Sequence, residues 1–67
     1  MGAKPTLSQV QSAAESRIAE LLMEMMTKCR GLDGEELAGT MNFYWMEVVQ
    51  VLRNVVQFAI KESTDAK

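Results

Sequence analysis

Histidine is absent from the 67 residues and cysteine occurs once, at Cys29. No intrachain disulfide can form, and the residue types of a structural zinc site are missing. Seven basic against nine acidic residues leave a net charge of −2, with no basic stripe to follow a phosphate backbone, so nucleic-acid binding is not expected. Catalytic constellations are missing as well. No serine or cysteine stands beside a plausible base, and there is no glycine-rich phosphate loop. Glu20 and Glu24 share one helix surface too open to raise a pKa or exclude water. No enzyme and no cofactor are expected. The N-terminus has no secretory h-region, and a lone cysteine suits a reducing, cytoplasmic setting. MGAKPT meets the loose myristoylation pattern through Gly2 and Thr6, but the reading preferred for residues 1–5 is a disordered tail.

What is present is helical patterning. Thr6-x-x-Gln9 is a capping box, and apolar positions then fall at Leu7, Val10, Ala14, Ile18, Leu21, Met25 and Cys29. Their spacings of 3, 4, 4, 3, 4, 4 make an eleven-residue repeat that stays on one face of a nearly straight helix. Glu24 and Lys28 stand at i,i+4, and Gly31 is placed to end the helix. Asp33-x-x-Glu36 gives a second capping box, flanked by the staple pair Leu32 and Leu37. The expected organisation is a helix over 6–30, a turn over 31–33, a helix over 34–62 and a frayed tail over 63–67. A connection that short joins antiparallel neighbours. Gly39-Thr40 is the one place where the second helix is open to a break.

MNFYWMEVVQVLRNVVQFAI, residues 41–60, holds fourteen apolar side chains and two charges, Glu47 and Arg53. It has the length of a membrane span. Yet Asn42, Glu47, Gln50, Arg53, Asn54 and Gln57 gather in one sector, a water-facing stripe that a single helix in lipid has no use for. The apolar remainder is too broad for one neighbour. One seam runs Met41, Trp45, Val48, Leu52, Val55, Ala59; a second runs Tyr44, Val48, Val51, Val55, Phe58; Ala38, Val49, Val56 and Ile60 extend the other edge. The partner or oligomer interface is therefore expected at Met41, Tyr44, Trp45, Val48, Val49, Leu52, Val55, Val56, Phe58 and Ala59. A chain this small buries too little alone and gains stability by assembling.

The fold expected is all-α: an antiparallel two-helix hairpin assembled as a homodimeric four-helix bundle. The function expected is a small non-enzymatic protein-interaction and oligomerisation module whose partner is itself. One alternative is a chaperone or subunit of a hetero-complex that receives a helix of another protein. Another is a soft-metal, Cu(I) carrier through Met25, Met26 and Cys29, against which core packing is the preferred reading, so no metal site is assigned. In outline alone, without shared motifs, the chain resembles antiparallel dimers of the plasmid copy-control type and the small helical-hairpin chaperones of bacterial secretion systems. That outline implies an adaptor.

Overall fold

A computed structural model describes residues 4–65 of the chain. It contains two α-helices, α1 over Leu7–Cys29 and α2 over Gly34–Asp65, packed as an antiparallel hairpin. At α1's start the capping box closes both ways. The Gln9 N–H donates to Thr6 Oγ1 at 3.2 Å, and the Thr6 N–H donates to Gln9 Oε1 at 2.9 Å. Two orphan donors of the first turn are thereby satisfied.

The corner is a type II turn. Arg30 has φ −63° and ψ 125°, Gly31 has φ 83°, and the Leu32 N–H donates to the Cys29 carbonyl at 3.0 Å. Gly31 occupies the position where this turn requires positive φ, which a side chain would resist. Gly34 is the other glycine at positive φ, at 59°, and it begins α2. The expected side-chain cap by Asp33 is not formed among the described residues. The Asp33 carbonyl instead accepts from the Leu37 N–H at 3.3 Å. A left-handed residue straight after the cap turns the chain away from the extended-to-helical path a capping side chain follows. Glu35 and Glu36 still place negative charge in the first turn, where the dipole favours it.

α2 runs unbroken through Gly39 and Thr40 and continues to Asp65, three residues beyond the expected end at 62. In the last described turn, the Thr64 hydroxyl donates to the Ile60 carbonyl at 3.0 Å. The Gly2 reading lies outside the described residues.

The hairpin interior is thin. The seven α1 positions Leu7, Val10, Ala14, Ile18, Leu21, Met25 and Cys29 form the helix's least exposed line. Opposite them lie Leu37, Thr40, Tyr44, Val48, Val51, Val55, Phe58 and Ala59 of α2. Only Leu21, at 3% exposure, and Tyr44, at 6%, are buried among the described residues. The molecule measures 50 × 22 × 14 Å, and its radius of gyration is 15.7 Å. A compact chain of this length would have a radius of about 11 Å. This is one layer of two helices, without a second layer to close a core.

Candidate interaction surface

The most organised polar contact is set into the seam. Tyr44 donates its phenolic hydrogen to Glu24 Oε1 at 3.0 Å, linking the helices near the turn. Glu24 thus accepts from α2 instead of pairing with Lys28 as expected. Burial raises the Tyr44 pKa above its ordinary value, and the hydrogen bond to Glu24 and that carboxylate's charge push it further in the same direction. Phe43 meets the Tyr44 ring edge-on, with centroids 5.2 Å apart and planes at 88°. The remaining side-chain contacts are local to one helix. Arg17 pairs with Glu20 at 3.3 Å, Gln50 Nε2 donates to Asn54 Oδ1 at 3.0 Å, and Asn42 Nδ2 approaches Met46 Sδ at 3.8 Å.

The ten residues expected at an interface fall into two groups. Tyr44, Val48, Val55, Phe58 and Ala59 turn wholly or partly into the hairpin. Met41, Trp45, Val49, Leu52 and Val56 remain exposed, Trp45 at 65% and Leu52 at 50%. Adjacent residues of a helix lie 100° apart, so Tyr44 and Trp45 present different faces. Tyr44 faces α1, and Trp45 faces out.

The exposed set is ordered. Ala38, Asn42, Trp45, Val49, Leu52 and Val56 follow one another at spacings of 4, 3, 4, 3, 4, the heptad-like repeat of a line that packs against another helix. This line is centred about 100° round α2 from the hairpin seam, close to the right angle between a bundle helix's two neighbours. In antiparallel helices, positions displaced in the same rotational sense from the shared seam come to the same side. α1 accordingly adds Leu22 and Met26 to this face. A shallow apolar hollow lined by Leu22, Met25, Ala38, Met41, Asn42 and Trp45 marks the turn end. Toward the open end the α1 side becomes polar, with Gln11 and Glu15 beside Leu52 and Val55.

Leu22 was not part of the expected interface. Its signal in the sequence is the i,i+4 step to Met26, one position round from the α1 seam. The three sulfur-bearing residues of the metal alternative are spread over two faces: Met25 and Cys29 lie in the seam and Met26 is exposed. Among the described residues, no group of three or more histidine, cysteine, aspartate or glutamate side chains is placed to hold a metal ion. No helix there is long and apolar enough to cross a membrane.

The accessible surface is 5587 Å². A compact monomer of this mass would expose roughly 4,200 Å². The excess, roughly 1,300 Å² per chain, reflects the open single layer of two helices. Comparison with protein-family models, curated proteins and solved structures finds no match for this chain.

Proposed function

We propose that this chain is a small, non-enzymatic interaction module that assembles through the outward apolar face of α2, and that its assembled form is a homodimeric four-helix bundle. The observation that carries this reading is the exposed seam from Ala38 to Val56, with Trp45 and Leu52 at least half exposed along it. Patches this extended on soluble chains mark association surfaces. A two-helix layer with two buried side chains gains most of its stability from whatever covers that face. Cys29, half-buried in the seam, suits a reducing, cytoplasmic setting as a packing residue.

The reading expects folding and association to be coupled. Far-ultraviolet circular dichroism of the purified chain should lose helical signal on dilution, in step with the loss of assembled mass. Full helicity in a dilute monomer would oppose the proposal. A poorly helical chain at every concentration, restored by a helix from another protein, would turn the same face toward a hetero-complex and remove the homodimer.

A further inference from the structure

We infer that the association is redox-sensitive through Met26 and Met41: on the separated chain, hydrogen peroxide converts their thioethers to sulfoxides, and the sulfoxides keep the outer face from pairing. This inference rests on the assembly just proposed and names a regulation of that same face.

Sulfur is unevenly placed on the molecule. The open end of the outer face is built from Val49, Leu52 and Val56, which peroxide leaves unchanged, whereas the turn end carries Met26 and Met41. In the single chain Met26 is 67% exposed and Met41 45%, so the oxidant reaches both. Met23 and Met46 are also exposed, at 70% and 63%. Each stands 100° further round its helix than Leu22 and Trp45, outside the face. The fold thus supplies two methionines that association covers and two that it leaves open.

The chemistry needs peroxide alone. The thioether lone pair attacks one peroxide oxygen, and an S–O bond forms as the O–O bond breaks. The proton passes to the departing oxygen, which leaves as water. The sulfur gives up two electrons and the peroxide takes them. A flexible apolar side chain becomes a polar one that accepts hydrogen bonds. Met41 lines the apolar hollow at the turn end, where Asn42, the one amide of the lining, already approaches Met46 Sδ at 3.8 Å. A sulfoxide oxygen covered there by a second chain loses its water without a ready donor. A dimer would bury each sulfoxide twice, so the expected weakening is roughly a hundredfold or more in Kd. Association and oxidation therefore exclude each other. The assembled chain shields the two sulfurs, and the oxidised chain does not assemble.

Peroxide footprinting, read residue by residue in a mass spectrometer, gives the first test. Met26 and Met41 should oxidise several-fold more slowly at a concentration that assembles the chain than in dilute chain, with Met23 and Met46 unchanged. Equal rates for all four in an assembled chain would overturn the inference. Light scattering gives the second test, on chain oxidised until both sulfoxides are complete and then treated with dithiothreitol to return reversibly oxidised Cys29 to the thiol. This chain should run at the single-chain mass where the parent is a dimer, and the two methionine sulfoxide reductases, one for each epimer, should restore the dimer. A Met26→Leu/Met41→Leu chain keeps the volume of both side chains and should stay assembled through the same treatment. A Met23→Leu/Met46→Leu chain should come apart like the parent. Dissociation of the Met26→Leu/Met41→Leu chain by peroxide, or a parent that stays dimeric with both sulfoxides formed, would overturn the inference and leave the association reading intact. A parent that is a folded monomer before any peroxide is added would overturn both.

Discussion

Leu52→Glu separates the outer face from the hairpin. Leu52 is 50% exposed and stands in the outward seam, so the substitution leaves the α1-facing line of Val48, Val51 and Val55 in place. The exposed half of a leucine is roughly 90 Å² of apolar surface, worth about 2 kcal/mol when a partner covers it. Symmetry applies that loss twice, so the dimer is weakened by about 4 kcal/mol, or roughly a thousandfold in Kd. The glutamate adds its own desolvation cost, which makes this figure a floor. The chain carries its own reporter, since Trp45 is its one tryptophan and lies in the same seam. In a dilution series, parent Trp45 emission should shift to longer wavelength as the dimer separates. In Leu52→Glu it should be red-shifted throughout the concentrations where the parent is assembled. Emission and mass matching the parent across that range would refute the placement of Leu52 at the contact.

Val48→Glu strikes the hairpin seam instead, and should lose helical circular dichroism even at concentrations that assemble the parent. Gly31→Ala forces a side chain into φ 83° and should lower stability by about 1–2 kcal/mol, read from the thermal midpoint at fixed concentration. Thr6→Ala removes the cap acceptor of Gln9 and should cost about 1 kcal/mol by the same measurement. Tyr44 predicts an alkaline limit. The folded chain holds its phenolic proton more tightly than the unfolded chain, whose tyrosine titrates at the ordinary 10.0. Its contribution is therefore complete below that pH and is lost as pH rises through the higher folded value. Tyr44→Phe should flatten this part of the decline in a pH series of denaturant melts, and an unchanged slope would remove Tyr44 as its cause.

The helices were legible because their signals are local. Thr6 and Gln9 state the first start, Gly31 the stop, and the eleven-residue repeat names the α1 line that the structure turns inward. α2 was harder to read because it carries two overlapping apolar lines. Periodicity shows that both exist and does not say which one α1 covers. That choice depends on the turn at Arg30 and Gly31, which sets the rotation of α2 about its axis, and on the Tyr44–Glu24 contact twenty residues apart in sequence. Asp33 misled for a related reason. Its pattern is a capping box, but Gly34 takes a left-handed conformation that the pattern does not encode. The α1 half of the outer face was hidden by the stronger seam beside it.

Light scattering coupled to size exclusion, on the chain alone and at two well-separated concentrations, tests the central claim most directly. The account predicts a helical species of twice 7.5 kDa at the higher concentration, shifting toward the single-chain mass at the lower. A stable, fully helical species of 7.5 kDa at both concentrations would show that the outer face needs no partner, and would contradict it.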